Sequence, residues 1–428
     1  MAITPEQNAQ LTLTGPGTLM GELFRRYWVP ALLAEELPVP DCPPVRVQLM
    51  GERLVGFRDS AGRLGLIDEF CAHRGVSLWF GRNEEGGLRC PYHGWKYDVA
   101  GHCLDLPSEA EATGMRRRIK LKSYPCREAA GVIWAYMGPP GLEPEPPALE
   151  WVLVPPERRF ISKRLQECNY LQAMEGGIDS SHVSFLHSGA LKRDPLFVGS
   201  KGNAYNERDR MPVFDIVPFA GGLLIGARRN AGEDKHYWRI TPWILPFYTL
   251  IPPRGGHPIS GHAWVPIDDE HCWAWSISYH PRRALTPEEL AAMRGGHGIH
   301  VKYIPGTYLP LANRRNDYLM DRDAQKAGLS FSGVEGIGMQ DASLQESMGP
   351  LFDRTREHLV STDNGVIMAR NALLKAAKAN RDGKPVPALA AAEQRVRSCA
   401  IELPRGVAFL DGARHGLFRP LDTDPVTV

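Results

Sequence analysis

Long apolar runs, an excess of charge of either sign and a dense cysteine framework are all missing from this 428-residue chain. No stretch approaches the ~18 apolar residues of a membrane-spanning helix, so no membrane partner is expected. Lysine and arginine together number 50, against 49 aspartates and glutamates. A nucleic-acid binder carries a basic excess, so no nucleic-acid partner is expected either. Eight cysteines in this length are too few for a disulfide scaffold. The opening residues, Met1-Ala2-Ile3-Thr4-Pro5-Glu6-Gln7, hold no charged segment followed by an apolar one. No secretory signal is therefore expected, and the cysteines read as reduced thiols or metal ligands of a cytoplasmic protein. What is present is a globular balance, 43% hydrophobic and 23% charged. That balance excludes a disordered, collagen-like or coiled-coil chain. At about 150 residues per domain, the length predicts two or three domains.

Short segments of period two begin at Val45. Val45-Arg46-Val47-Gln48-Leu49 alternates apolar and polar residues, as a half-buried strand does. Residues 54–57 and 64–67 flank Asp59-Ser60-Ala61-Gly62-Arg63, and residues 95–98 and 103–106 flank Ala100-Gly101; both read as hairpins. Residues 132–136 read as a buried strand. Residues 40–138 are therefore expected to form a small all-β domain. Ahead of it, residues 1–39 form a mixed helical and extended segment, with one or two helical turns at 21–28 closed by Pro30. Behind it, residues 139–156 form a proline-rich linker, since proline removes amide donors and blocks regular elements. Residues 157–428 are expected to be an α+β domain with an antiparallel sheet. A helix is predicted near 169–185 and strands at 222–227, 237–250, 262–265 and 272–279. In the last strand Trp273, Trp275, Ile277 and Tyr279 alternate with Ala274, Ser276 and Ser278, giving one bulky face and one small polar face. Asp363 is expected to cap a helix carrying Val366, Ile367, Arg370, Leu373 and Leu374.

Two Cys-His pairs carry the first chemical signal. Cys71-Ala72-His73 and Cys90-Pro91-Tyr92-His93 each set a thiolate and an imidazole in a short loop. Two sulfurs and two nitrogens suit either tetrahedral zinc or a two-iron cluster. Each loop mixes its donors, whereas common zinc fingers group two cysteines and then two histidines. Gly75, Gly94 and Pro91 let backbone amides turn toward sulfur, and Trp95 and Tyr97 supply apolar cover. These features favour iron–sulfur. Cys42, Cys103, Cys126, Cys168, Cys272 and Cys399 read as core thiols.

A second set lies in residues 168–189, where Asp179, His182 and His187 recur. At about 100° per residue, Asp179 and His182 share one side of a helix, but His182 and His187 stand roughly 140° apart. Both histidines can face one ion only if the helix ends or bulges between them. Spacing alone is a weak metal signal.

The pattern Cys-Ala-His-Arg-Gly followed by Cys-Pro-Tyr-His-Gly-Trp resembles the Rieske [2Fe–2S] motif. Asp179-x-x-His182-x4-His187 resembles the mononuclear-iron motif of Rieske non-heme iron oxygenases. The resemblance implies an N-terminal all-β Rieske domain and a C-terminal helix-grip catalytic domain. It implies a [2Fe–2S] cluster on Cys71, His73, Cys90 and His93, and a mononuclear non-heme Fe(II) on His182, His187 and a later aspartate. The segment Met339-Gln340-Asp341-Ala342 resembles the third-ligand region and puts Asp341 in that place, with Glu346 and Asp353 as competitors. Asp179 resembles the carboxylate that bridges an iron-site histidine to a Rieske histidine of the neighbouring subunit. Residues 15–28, 175–179 and 354–359 resemble phthalate dioxygenase-type oxygenase subunits, large (alpha) chains acting on phthalate, halobenzoates or phenoxybenzoate. That branch takes electrons from a separate FMN and [2Fe–2S] reductase or a ferredoxin, and assembles as head-to-tail homotrimers, sometimes stacked into hexamers. A departure lies at Gly176, where some branches carry Asn.

The implied activity is a ring-hydroxylating dioxygenase reaction on an aromatic carboxylate and dioxygen, in aromatic catabolism. An O-demethylase or other monooxygenase on an aromatic acid is the alternative, and an electron carrier without oxygenase activity a lesser one. The absence of a Gly-x-Gly-x-x-Gly fingerprint fits an oxygenase without its own reductase. Aromatic residues at 243–248 and 273–279 are expected to line an apolar slot. A buried carboxylate needs a matching cation, and arginine offers a two-pronged one. Arg208, Arg210, Arg228, Arg229 and Arg239 are the candidates.

Overall fold

Antiparallel hairpins set the architecture of the computed structural model, which describes residues 3–419 and 421–428. Two units separate: Gly15–Gly17 with Phe24–Pro144, and the described part of Met1–Thr14 with Thr18–Leu23 and Glu145–Val428.

The smaller unit is built from three antiparallel sheets. Val45–Leu49, Glu52–Arg58 and Leu64–Asp68 form the first. Its first turn is Met50-Gly51, both at positive φ (47° and 78°), the twist that a two-residue hairpin needs. In its second turn the Asp59 carboxylate accepts from the backbone N–H of Ala61 and Arg63, so the predicted turn residues act through local hydrogen bonds. Arg82–Glu84, Gly87–Arg89, Lys96–Tyr97 and Cys103–Asp105 form the second sheet, and Trp28–Leu33, Val132–Tyr136 and Cys126–Ala129 the third.

The third sheet corrects the reading of residues 21–28. The helix there is Leu19–Phe24, and Pro30 does not close it. Pro30 instead lies within the strand Trp28–Leu33, beside a register shift between Pro30 and Leu32. A bulge is where a strand tolerates a residue without an amide donor.

The larger unit centres on one antiparallel sheet. Its order is Arg159–Gln166, Cys272–Tyr279, Ile259–Pro266, Tyr248–Ile251, Lys235–Ile244, Gly222–Asn230 and Val213–Phe219, with Cys399–Pro404 also paired to Lys235–Ile244. The single strand predicted over 237–250 is a hairpin. Leu245-Pro246-Phe247 separates its two halves, and Trp243 pairs with Thr249; Pro246 has no amide to continue a ladder. Asp363 occupies the position before the helix Asn364–Arg381, but its carboxylate accepts from the Val360 N–H rather than capping that helix.

The helix Tyr170–Ile178 covers the sheet and meets a second helix, Ile337–Ser347. The first comes so close that a Cβ on Gly177 would lie 2.1 Å from the Trp264 ring and 2.7 Å from the Thr249 hydroxyl; only glycine fits. The small polar face of Cys272–Tyr279 is therefore buried. Its hydroxyls have partners: Ser278 meets His300 Nε2 at 3.0 Å, and Ser276 donates to the Ile299 carbonyl and lies 3.4 Å from His262 Nδ1. This face carries the site, and Trp273 and Trp275 point the other way.

Candidate active site

The two Cys-His loops of the smaller unit repeat one geometry. The Cys71 carbonyl accepts from Gly75 N–H and the Cys71 N–H donates to the Val76 carbonyl. Likewise the Cys90 carbonyl accepts from Gly94 and the Cys90 N–H donates to Trp95. Gly75 and Gly94 sit at φ of 71° and 77°, so each loop turns back at a residue without a side chain. Both cysteines belong to the apolar core with Phe57, Leu88 and Tyr97. Tyr97 lies 3.2 Å from Cys71 Sγ through its hydroxyl. Burial pushes the Cys90 thiol up, and nearby Cys71 adds to that, while the Tyr92 and His93 amides oppose it. The rings of His73 and His93 meet edge to face at 4.5 Å, and His73 stacks on Trp95. Nδ1 of each histidine is buried with no hydrogen-bond partner. Two buried sulfurs and two ring nitrogens without a hydrogen-bond partner among the described residues are the donor types that a mixed Cys₂His₂ iron–sulfur cluster requires.

In the larger unit the helix Tyr170–Ile178 ends before the first histidine, and His182–Ser184 forms a single 3₁₀ turn. The break removes the roughly 140° separation that a continuous helix would impose. His182 Nε2 and His187 Nε2 lie 3.2 Å apart, and each faces Asp341 Oδ1, at 3.5 and 3.3 Å. Asp341 arrives from the helix Ile337–Ser347. Two donors bound at right angles, each about 2.1 Å from a metal, stand about 3 Å apart. The triangle therefore fits one face of an ion's coordination shell and leaves the opposite face to other ligands.

The supporting groups fix the ring nitrogens. His187 Nδ1 meets Gln340 Oε1 at 2.8 Å, and the Gln340 amide is itself held by Ser330 and the Val334 carbonyl. An acceptor at Nδ1 leaves Nε2 deprotonated and facing the triad. His182 Nδ1 lies 3.3 Å from Asp179 Oδ2. Burial opposes the Asp179 charge, but hydrogen bonds from the His182 ring and the Ser181 and His182 amides win and hold its pKa below the usual range. At Asp341 burial is likewise outweighed, by His187 and His182, and the pKa falls to about 2.

The triad opens into a pocket with an empty volume of about 710 Å³, mouth included. Leu191, Phe197, Ile251, Trp264, Ile299 and Ile337 give it apolar walls, and Arg164, Arg239, Arg254 and His262 also line it. All three arginines are buried, Arg239 at 3% exposure. Among the described residues Arg254 donates only to the neutral Asn203, and Arg164 only to the neutral Ser276 and Gln166. Arg239 has no hydrogen-bond or ion-pair partner among the described residues, and its Nε and one Nη are fully enclosed. Burial first, then the Arg239 charge, pushes the Arg254 pKa well below its ordinary value. The pocket thus carries arginines that form no ion pair with a carboxylate among the described residues.

Residues 27–125 match the family model described as the Rieske [2Fe-2S] domain, and residues 135–407 match the one described as LigXa C-terminal domain like. A 3-chlorobenzoate-3,4-dioxygenase oxygenase subunit of Comamonas testosteroni is 39% identical, over 90% of this chain and 91% of its own. The chain belongs to the Rieske non-heme iron oxygenases, on their phthalate dioxygenase-like branch. A phthalate 4,5-dioxygenase oxygenase subunit of Pseudomonas putida is 38% identical over 89% of this chain and 88% of its own. Dicamba monooxygenase shares the fold, with a TM-score of 0.55 at 18% identity over 83% of this chain and 98% of that one. Rieske oxygenases of this kind combine the [2Fe–2S] cluster with mononuclear iron. No helix among the described residues is long and apolar enough to cross a membrane.

In this oxygenase subunit the competing carboxylates are engaged elsewhere. Glu346 accepts from the Glu167 amide and the Tyr318 hydroxyl, and Asp353 from the Thr355 amide. Of the five arginines expected at substrate, only Arg239 lines the pocket. Arg208 and Arg210 are exposed, with Arg210 lying over Phe185. Arg228 lies over Trp238, on the opposite face of its strand from Arg229. Arg229 is buried but anchors protein groups, donating to the Ser180 and Asp209 carbonyls and the Ser184 hydroxyl. It clamps the chain on both sides of His182. The aromatic slot expected from 243–248 and 273–279 is not there. Trp243 donates to Met174 under the helix Tyr170–Ile178, and Trp273 and Trp275 surround Lys163 on the far face. Trp264 and Phe197 take that place. Arg164 and Arg254 were missed: the first lies in an edge strand without clear periodicity, the second in the loop Pro252-Pro253-Arg254-Gly255-Gly256. At Gly176 the Gln345 side chain fills the space, with Nε2 only 2.2 Å from where a Cβ would stand. An Asn there would require the end of the Gln345 side chain to move.

Proposed function

We propose that this chain is the oxygenase component of a Rieske dioxygenase that hydroxylates an aromatic carboxylate, using dioxygen and electrons from a separate reductase or ferredoxin. Arg239 carries the reading. A guanidinium left unpaired in a buried pocket costs several kcal/mol unless a bound anion compensates it. A carboxylate on Arg239, flanked by Arg254, supplies that compensation and turns the attached ring toward the triad between apolar walls. The names of the two curated relatives, which act on 3-chlorobenzoate and phthalate, support the same substrate class.

Cys71, His73, Cys90 and His93 hold the [2Fe–2S] cluster in this reading, and His182, His187 and Asp341 the mononuclear iron. The cluster supplies single electrons, and the iron supplies the open positions at which dioxygen reacts. The chain's part is placement. Gln340 and Asp179 hold the ligand nitrogens to their tautomers, Arg229 fixes the His182 turn, and the arginines anchor the acid end of the substrate. The apolar walls exclude bulk water from the ring.

Two surfaces support a head-to-tail trimer. Around the cluster loops, Phe70, Trp79, Phe80 and Tyr92 are exposed, with Arg46, Arg53 and Arg74 stacked on them. Outside the triad, Asp179 and His182 also line a hollow bordered by Glu357, Asp363, Leu344 and Met348. A basic aromatic patch and an acidic apolar hollow are complementary, and docking would bring His73 or His93 of one copy toward Asp179 of the next. The test is oxygen uptake with benzoates and phthalates, with ¹⁸O₂ products resolved by mass. A cis-dihydrodiol supports dioxygenation, demethylation of a methoxybenzoate supports the monooxygenase alternative, and no coupled uptake with any aromatic acid refutes the reading.

A further inference from the structure

His262 is buried at 5% exposure in the middle of the sheet and lines the same pocket. Its Nδ1 lies 3.2 Å from the Trp275 carbonyl and 3.4 Å from the Ser276 hydroxyl. A carbonyl only accepts. Ser276 accepts from Arg164 and gives its own proton to the Ile299 carbonyl. Both neighbours therefore need a proton on Nδ1, and a neutral ring then has a bare lone pair on Nε2. Burial, then the Arg164 charge, holds the ring pKa at about 3, so it is neutral in the working range. The Trp264 ring, 5.0 Å away and tilted 37°, limits rotation. Nε2 takes no hydrogen bond from a described residue. Around it the cations Arg164, Arg239 and Arg254 only donate, and the carboxylates Asp179 and Asp341 are turned to the other two histidines.

We infer that His262 presents Nε2 as a hydrogen-bond acceptor to the bound substrate and selects aromatic acids that also carry a ring hydroxyl. The inference rests on the aromatic-carboxylate reading and adds a second handle to it. The acid end meets the arginines, and a phenolic O–H, which ionises only near pH 10, donates to His262. Sites built to bond a substrate hydroxyl discriminate against analogues without one, because the buried protein group is then left unpaired.

The experiment is calorimetric binding to the holoenzyme under anaerobic conditions. Ligands are benzoate, 3-hydroxybenzoate, 4-hydroxybenzoate and the two matching methoxybenzoates. At least one hydroxybenzoate should bind roughly 10- to 100-fold tighter than its methoxy partner and than benzoate. His262→Asn keeps an N–H for the Trp275 carbonyl but loses the acceptor at the Nε2 position, and should abolish that preference while benzoate binding persists. His262→Gln places an amide oxygen within reach of that position and should retain part of it. The inference is overturned if the wild type shows no hydroxyl preference or if the preference survives in His262→Asn. It is also overturned if His262→Asn weakens all five ligands alike, since His262 would then serve the carboxylate. If none of the five ligands binds the wild type, the aromatic-carboxylate reading itself fails and takes this inference with it.

Discussion

Arg239→Met removes a buried charge while keeping most of the side-chain volume, and the consequences for stability and binding have opposite signs. Arg239 is 3% exposed and has no partner among the described residues. Replacing a buried, poorly compensated charge by an apolar residue of similar size is typically neutral or stabilising by about 1–4 kcal/mol. The ligand-free variant should therefore unfold at the same temperature or a few degrees higher. Binding should move the other way. Loss of one partner of a buried charge pair costs about 2–5 kcal/mol, roughly 30- to 5,000-fold in Kd for a carboxylated substrate. An uncharged analogue, such as the corresponding primary amide, should lose far less. Differential scanning calorimetry without ligand, and titration calorimetry with the acid and its amide, read both halves. A variant that is destabilised by more than about 1 kcal/mol without ligand would mark Arg239 as a structural cation. Unchanged affinity for every acid would remove it from substrate recognition. This opposition is the trade-off expected where a site keeps an unfavourable group for its ligand.

Four further outcomes test the remaining residues. Asp341→Ala should lose the mononuclear iron and activity yet keep the cluster's visible spectrum, while Glu346→Gln keeps all three irons per chain; three irons in Asp341→Ala would break the triad. Cys90→Ser or His73→Cys should abolish the Rieske spectrum, and a retained native spectrum would end the ligand assignment. Asp179→Asn should keep both metals but slow reoxidation of the reduced cluster in a single turnover followed by rapid mixing; near-normal reoxidation would leave Asp179 as a local turn carboxylate. Glu175→Gln should cost about 3 kcal/mol or more, because it strips the carboxylate from buried Arg354 and one of the two from Arg370, which keeps Glu357. Burial opposes the Glu175 charge, but those two arginines hold its pKa below the usual value; its contribution is therefore present above about pH 4.5 and fades as acid titrates it, so wild type and variant should converge in stability at low pH.

The cluster loops were legible because their chemistry is local. The four candidate ligands lie in two short loops, and the glycines that turn those loops are visible beside them. The iron triad was not legible from periodicity, because a helix extended from 169 to 185 holds His182 and His187 apart; only the resemblance joined them and supplied Asp341 from a distant helix. The structure supplies the missing physical step, a helix that stops at Ile178. The hairpins at Asp59 and Gly101 were readable from turn chemistry, whereas the break at Pro246 was passed over within an apolar run. Substrate arginines were the least legible. Arg228 and Arg229 are adjacent in sequence and point to opposite faces, so a choice among strand arginines needs the register. Arg164 and Arg254 became visible only once the sheet had closed over the pocket.

A net charge of +1 hides a strong local asymmetry. Among the described residues of the catalytic unit outside the pocket, Arg354 and Arg370 hold Glu175 and Arg397 holds Glu150, while buried Arg229 is held by the Ser180 and Asp209 carbonyls and the Ser184 hydroxyl. Buried guanidinium charges outside the pocket are thus matched by carboxylates in three cases and by neutral groups in one. Inside the pocket the same residue type is left with neutral partners or none, while both pocket carboxylates are committed to His182 and His187. Three buried arginines gathered around one cavity with no ion pair among the described residues favour an anion from outside as its ligand. The apolar walls that share the pocket with those cations and the triad favour a hydrophobic body for the rest of that anion. An aromatic acid meets both demands, and a small inorganic anion meets only the first.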